Sequence, residues 1–235
     1  MIPKKIHYCW FGGNEKPKSV KKCIDSWKKY CPDYEIIEWN ESNFNIYENG
    51  YTKLCYENKR WAFLSDYARL KVIYDNGGIY FDTDVEVVKS FDDLLDCDAF
   101  FGFENEKYVA SGLGFGACKN NNIVKQMINE YLMLNINDKS FEYIGCPILN
   151  TRVLVNNGLV KNGKYQILED CKVLPKEYLN PFDDSTGRLN KTDKTYSVHW
   201  YMKSALNKKQ ILRSKITRPF HRIFGKDCFN RLKRG

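Results

Sequence analysis

The sequence contains no run of apolar residues long enough to cross a membrane. A spanning helix needs roughly 18 or more consecutive apolar residues, and the apolar stretches of this 235-residue chain are far shorter. The first segment, MIPKKIHYCWFGG, also lacks the long apolar core of a secretory signal. We therefore expect a cytoplasmic protein without a membrane-spanning helix.

Two common ligand-binding signatures are also missing. The nine cysteines are scattered and include no C-x-x-C pair, a distribution typical of reduced thiols in the cytoplasm rather than of a zinc site. The glycine-rich segment SGLGFG at 111–116 lacks the spacing of a phosphate-binding loop or a dinucleotide fingerprint. We interpret it as a tight strand or a loop near substrate.

The most informative stretch of the chain runs from Ala62 to Glu86, AFLSDYARLKVIYDNGGIYFDTDVE. Apolar residues at helical spacing lead to a Gly-Gly pair, and a short apolar strand follows. This strand delivers Asp82 and Asp84 to its carboxyl end, the edge where open α/β sheets bind ligands. Two carboxylates so placed can approach one Mg²⁺ or Mn²⁺ ion. Two solvated turn acids would be the simpler interpretation.

The helix before this strand carries a second charged pair. Asp66 and Arg69 share one helix face, and a surface ion pair would explain them. The glycine turn, however, folds the helix back toward the acidic strand end. A third ligand for a divalent ion would be His199, which follows the last predicted strand, TYSVHW at 195–200. The sequence alone leaves its proximity to Asp84 open.

The order of predicted elements indicates the fold class. Strand signals at 5–11 and 34–39 alternate with helix signals through the first half of the chain. Such alternation predicts an α/β fold with a mostly parallel central sheet flanked by helices. We divide the chain into a catalytic domain, 1–202, and a basic amphipathic tail, 203–235.

The tail accounts for the positive charge of the protein. From Lys203 onward there are eleven lysine and arginine residues and one acid, so the tail carries +10 and leaves about −2 for the rest of the chain. Apolar residues interleave with these charges. The segment is either a helical cap with a solvated basic face or a peripheral docking element for the anionic inner surface of the cytoplasmic membrane.

Four segments together resemble glycosyltransferase family 32, which carries a DXD-type sugar-binding region. They are IHYCWFGG at 6–13, SDYARLKVIYDNGGIYFDTDVE at 65–86, GCPILNT at 145–151 and SVHW at 197–200. The family includes bacterial capsular polysaccharide transferases and, more distantly, clostridial glucosylating toxins. The resemblance implies a GT-A fold, retention of anomeric configuration, a Mn²⁺ or Mg²⁺ cofactor, a nucleotide-diphosphate sugar donor (most commonly a UDP-hexose) and a saccharide acceptor, which can be lipid-linked.

The resemblance also implies roles for particular residues. On the donor, Trp10 would stack on the base, Ser65 and Tyr80 would contact the ribose or the sugar, and Trp200 would contact the diphosphate from a closing loop. Where the family often has a Gly-Pro pair, this chain has GCP at 145–147, so the alignment is looser there.

The remaining implied residues are those of the reaction centre. Asp66, Arg69 and Asp82 would act on the sugar and the diphosphate as the catalytic set. Asp84, with Asp82 and His199, would hold the metal ion.

Two other classes of protein remain compatible with single features. A HAD-type phosphohydrolase also has D-x-D after an apolar strand, but there the motif normally opens the domain, whereas about 80 residues precede it here. A non-enzymatic binder could act through the basic tail. The rest of the chain has no RNA-binding or helix-turn-helix signature, so we expect no nucleic-acid partner.

Overall fold

The computed structural model describes residues 1–138, 141–202, 208–225 and Cys228. Its strands are β1 (Lys5–Cys9), β2 (Glu35–Trp39), β3 (Gly78–Tyr80), β4 (Val85–Val87), β5 (Ala99–Gly102), β6 (Phe115–Ala117), β7 (Gln166–Leu168), β8 (Cys171–Leu174), β9 (Phe182–Asp183), β10 (Arg188–Leu189) and β11 (Ser197–His199). Its helices are α1 (Lys18–Tyr30), α2 (Gly50–Glu57), α3 (Trp61–Asn76), α4 (Asn122–Leu132), α5 (Cys146–Asn156), α6 (Lys176–Leu179) and α7 (Lys208–Phe224).

The central sheet of the described residues has seven strands in the order β2-β1-β3-β6-β5-β8-β7. β1 pairs in parallel with β2 and β3, and β5 pairs in parallel with β8. β6 and β7 run against their neighbours. Most strands therefore point the same way, and the predicted α/β class with a mostly parallel sheet is confirmed.

Two apolar layers cover the faces of this sheet. One contains α2 to α5, and the other contains α1 with the segment around β4. On α1, the buried residues Val20, Ile24 and Trp27 repeat at helical spacing. The Trp27 indole donates a hydrogen bond to the carbonyl oxygen of Val85 at 2.8 Å, which ties the helix to β4.

The turn between α3 and β3 depends on its two glycines. Gly77 has φ +67 and its N–H caps the helix by donating to the Ile73 carbonyl. Gly78 has φ +114, and a Cβ there would lie 2.8 Å from the Lys5 carbonyl oxygen. Both the left-handed backbone and the close strand packing require glycine. The tight turn lays α3 back along β3, as predicted.

One predicted element differs in detail. The last strand signal forms β11, which pairs antiparallel with β4 in a separate two-stranded ladder rather than joining the central sheet. The segment after Ser90 forms a single 3₁₀ turn, Asp92–Leu94.

Of the predicted tail, α7, Gly225 and Cys228 are described, and positions 203–207, 226–227 and 229–235 lie outside the described residues. The division into domain and tail stays a prediction. No described helix combines the length and hydropathy that a bilayer crossing requires.

His7 on β1 is fully buried and held in one neutral tautomer. The Trp39 indole N–H donates to Nδ1 at 3.0 Å, so the ring proton lies on Nε2, which donates to the Gly77 carbonyl at 3.0 Å. Burial lowers the pKa of His7 from 6.5 to about 4. A second proton would lie on Nδ1, where it would face the N–H donor of Trp39.

The His7 pKa predicts acid sensitivity of the fold. Between pH 6.5 and about 4 the unfolded chain binds the extra proton and the folded chain does not. Stability therefore falls as pH drops through this window, by about 2 kcal/mol between roughly pH 7.5 and pH 5. In His7→Gln, the free energy of unfolding measured with urea should fall by about 2 kcal/mol less between these two pH values. An equal fall in the two proteins would contradict the assignment.

Candidate active site

The turn from β3 to β4 carries the two aspartates of the D-x-D sequence. Val85 N–H donates to the Asp82 carbonyl at 3.0 Å, which closes the turn. On the neighbouring strand, β11 aligns His199 with Val85. The His199 Nε2 atom lies 3.0 Å from Asp84 Oδ1. The ladder thus brings His199, whose position the sequence left open, beside Asp84.

The segment after β11 is fixed to Asp84. Trp200 N–H donates to the Asp84 carbonyl at 3.0 Å, and Met202 N–H donates to Asp84 Oδ2 at 2.8 Å. Tyr201 between them has φ +49, a left-handed backbone that is uncommon for an aromatic residue. Burial acts to raise the Asp84 pKa, but the charge and hydrogen bond of His199 and the Met202 N–H lower it on balance. Asp84 is therefore held as a carboxylate.

Asp82, Asp84 and His199 form a donor set that suits a divalent cation. One ligand atom from each lies within 4.8 Å of the others. Carboxylate oxygens with an imidazole nitrogen fit Mn²⁺ or Mg²⁺. The Nδ1 atom of His199 is buried and has no hydrogen-bond partner among the described residues, while Nε2 is the ring nitrogen that faces Asp84.

A buried arginine connects α3 with the acidic turn. Arg69, only 3% exposed, places its Nη2 atom 3.0 Å from Asp66 Oδ1 and 2.9 Å from Asp82 Oδ1. The Tyr80 hydroxyl donates to the same Asp82 oxygen at 3.1 Å. Cys146 N–H, in the first turn of α5, donates to Asp66 Oδ2 at 3.3 Å. The structure thus contains the predicted contact between the Asp66–Arg69 pair of α3 and Asp82 at the end of β3.

The charges of this cluster shift one another's pKa values. Burial raises the pKa of Asp82 to about 6, with Arg69 opposing the rise and Asp84 adding to it. Burial likewise raises the pKa of Asp66, against the attraction of Arg69. For Arg69, burial would lower the pKa, but the two carboxylates raise it well above its usual value. The guanidinium is therefore permanently charged.

Gly112 packs directly against this cluster. The sequence did not predict a role for this residue. A Cβ at this position would lie 2.5 Å from Asp82 Oδ2 and 3.0 Å from Arg69 Nη1. The backbone of the 111–113 turn therefore lies directly against the carboxylate. The alternation of glycines in SGLGFG was the available signal, and the expected loop near substrate lies beside the Asp82 carboxylate.

The residues predicted to contact the donor lie around the same sheet edge. Trp10 is half-buried after β1, and its indole donates to the Asn14 carbonyl at 2.7 Å. Ser65 is half-buried on α3 and bonds to the Trp61 carbonyl. Tyr80 is 1% exposed, and its hydroxyl bonds to Asp82. Trp200 donates to Glu86 at 2.8 Å. Their roles toward a donor stay predictions.

A second polar group lies next to His199. The Tyr201 hydroxyl lies 3.4 Å from Glu104 Oε1, and the Asn180 amide donates to the Glu104 carbonyl and to the Tyr201 hydroxyl. Burial raises the pKa of Glu104. Asn180 and Tyr201 were not predicted because their partners are distant in sequence.

Comparison with known proteins decides the class of enzyme. Residues 17–101 match the family model described as glycosyltransferase sugar-binding region containing DXD motif. The chain therefore contains the sugar-binding region of a glycosyltransferase with a DXD motif. The match covers α3, the glycine turn and the acidic turn, and it ends before Gly112, Cys146 and His199. The HAD-type and purely binding alternatives are not favoured by this result.

Similar proteins agree with the assignment. The glycosyltransferase is 27% identical over 191 residues to an uncharacterized glycosyltransferase of Acanthamoeba polyphaga mimivirus, which covers 77% of this chain and 74% of that protein. It is 32% identical over 106 residues to inositol phosphoceramide mannosyltransferase 3 of Schizosaccharomyces pombe, covering 40% of this chain and 27% of that protein. The solved PaToxG glycosyltransferase superposes with a TM-score of 0.53 at 20% identity, over 67% of this chain and 70% of PaToxG. The expected GT-A fold is confirmed.

The contact of Gly112 with Asp82 predicts the effect of a single methyl group. In Gly112→Ala the new Cβ must displace the Asp82 carboxylate, because it would otherwise lie 2.5 Å from Oδ2. Misplacing a reacting group by about 1 Å can lower a rate by roughly 100-fold, and we expect a loss of donor turnover of that order. Sugar-nucleotide hydrolysis kinetics would measure it.

Gly145→Ala is the matched control for this substitution. Among the described residues, its Cβ would come within 4 Å of the Pro147 ring alone, at 3.6 Å, which is ordinary contact. This variant should keep most of its activity. Full activity in Gly112→Ala, with an unchanged melting temperature, would contradict the proposed contact.

Proposed function

We propose that this glycosyltransferase is metal-dependent and retaining. It moves a hexosyl unit from a nucleotide-diphosphate sugar, most simply a UDP-hexose, to a saccharide acceptor in cell-surface or capsular polysaccharide synthesis. The observation that carries metal dependence is the convergence of Asp82, Asp84 and His199 within 4.8 Å. The base, the retaining outcome and the capsular role are supported by the family resemblance alone.

The arrangement of charges explains why such an enzyme needs a cation. The three aspartates, 66, 82 and 84, face Arg69 and His199, and this site must accept an anionic diphosphate. A divalent ion held by Asp82, Asp84 and His199 would invert the local charge and stabilise the departing diphosphate as a Lewis acid.

The protein's own residues would orient the sugar. Carboxylates accept strong hydrogen bonds from hydroxyl groups. Arg69 holds both Asp66 and Asp82, at 3.0 and 2.9 Å, and so fixes the direction in which their free oxygens point. Arg69 itself is almost fully buried, so its direct effect on the diphosphate would be electrostatic. Trp10 would hold the base at the edge of β1 by stacking.

A donor screen with metal controls tests the proposal. Hydrolysis of UDP- and GDP-sugars should require Mn²⁺ or Mg²⁺ and stop with EDTA. Asp84→Asn should lower the rate by about 100-fold or more, because it removes a ligand charge, and should abolish Mn²⁺ binding in calorimetry. Asp93→Asn, a change at an exposed carboxylate paired with Lys89, is the matched control and should be unaffected.

Two results would contradict the proposal. One is undiminished turnover in EDTA or in Asp84→Asn. The other is release of phosphate from simple phosphomonoesters without any sugar-nucleotide turnover, which would favour a phosphohydrolase.

The role of Trp10 gives a separate test of donor binding. Stacking of a base on an aromatic ring is worth about 1–3 kcal/mol, so Trp10→Ala should raise KM for the donor roughly 10-fold or more with little change in kcat. Tyr47→Ala removes an aromatic ring that is 65% exposed and serves as the control. A lower kcat with unchanged KM would place Trp10 elsewhere in the reaction.

A further inference from the structure

Helix α7 is attached to the domain through two arginines on one of its faces. Arg218 donates from Nε to the Asp184 carbonyl at 2.9 Å and from Nη2 to Asp184 Oδ1 at 2.7 Å. One turn later, Arg222 donates to the carbonyls of Thr186 and Gly187, at 2.5 and 3.0 Å. The 184–187 loop therefore fixes the orientation of the helix on the domain.

A different face of α7 exposes large apolar side chains. Leu212, Ile216 and Ile223 are 59%, 58% and 74% exposed, and Phe224 at the end of the helix is 64% exposed. The first three lie at i, i+4 and i+11, which places them in one line along a helix. We call these three residues the apolar stripe. The stripe lies about a third of a turn around the helix from Arg218 and Arg222, and it remains exposed when these arginines bind the domain.

The charge around the stripe indicates what covers it. The segment from Lys203 onward carries +10, while the remainder of the chain carries about −2. An apolar helix face within a strongly basic segment matches the surface of an anionic bilayer, where apolar side chains enter the interface and cations contact lipid headgroups. A second copy of the chain would bring a second positive segment against the first, which repulsion opposes.

We propose that α7 is a docking helix for an anionic membrane surface, with the apolar stripe at the lipid interface. The 184–187 loop leads back to the reaction centre. The Arg218 guanidinium lies 5.6 Å from the Phe182 ring centre, and the Phe182 and Trp200 rings are 5.3 Å apart. Trp200 is bonded to Asp84. Docking would thus hold the sheet edge that carries Asp84 near the bilayer, where a lipid-linked acceptor is available. The docking itself does not depend on the proposed donor or metal.

Vesicle flotation of the full chain tests the proposal. The protein should float with vesicles of phosphatidylcholine containing about 30% phosphatidylglycerol, and far less with phosphatidylcholine alone, since basic segments are attracted by anionic lipid. Raising the salt concentration from about 0.05 M to about 0.5 M should weaken binding.

Substitutions distinguish the apolar stripe from other exposed apolar residues of the protein. The triple variant Leu212→Ser, Ile216→Ser, Ile223→Ser should bind the anionic vesicles roughly 10-fold or more weakly. The matched control is Ile148→Ser, Val160→Ser, Ile167→Ser, at sites 50%, 60% and 61% exposed on the catalytic domain, and it should bind as the original protein does. The melting temperature of each variant checks that the domain is folded.

Three outcomes would overturn the proposal. They are equal binding by the triple variant and the original protein, no preference for anionic vesicles, and a concentration-dependent dimer that the triple variant loses. The last result would assign the stripe to a second copy of the chain. Loss of sugar-nucleotide turnover without loss of flotation would reject the proposed function and leave the docking helix intact.

Discussion

The site depends on one buried guanidinium. Arg69 is 3% exposed and lies within 3.0 Å of carboxylate oxygens on both Asp66 and Asp82. Burying three charged groups is unfavourable unless each is paired, and removing one partner of such a group costs about 3–5 kcal/mol. The arrangement therefore fixes α3 against the acidic turn. Whatever binds there meets carboxylates whose positions were set when the chain folded.

The two aspartates of the D-x-D sequence have different partners and different properties. Asp82 bonds to Arg69 and Tyr80, and burial raises its pKa to about 6. Asp84 faces His199 and accepts a backbone hydrogen bond, and its pKa is lowered. Like charges so close repel each other. The structure relieves this repulsion by giving each carboxylate its own partners: the Arg69 guanidinium for Asp82, and the His199 imidazole with the Met202 N–H for Asp84.

The sequence predicted the contacts of this site between residues close together in the chain, but not the contacts between distant segments. Asp66, Arg69 and Asp82 lie within 17 residues, joined by a helix and a glycine turn whose geometry follows from residue type. His199 reaches Asp84 only because β11 pairs with β4, and nothing local specifies that pairing. The Met202 contact uses a backbone N–H, which almost every residue supplies, so no side-chain pattern could reveal it. The sequence showed a glycine at position 112, but it could not show that this glycine contacts Asp82.

Asp84 also organises the segment that follows β11. Its carbonyl accepts the Trp200 N–H, and its Oδ2 accepts the Met202 N–H, so one residue binds both sides of Tyr201. The left-handed backbone of Tyr201 costs free energy, and these two bonds, with the hydroxyl contacts to Asn180, offset that cost. Because Oδ2 is engaged by the backbone, Oδ1 is the oxygen that remains toward His199. A cation shared by Asp84 and His199 would replace their present contact without disturbing the bond that closes the segment. Asp84 could therefore hold the proposed ion and the 200–202 segment at the same time, because each would use a different oxygen of the same carboxylate.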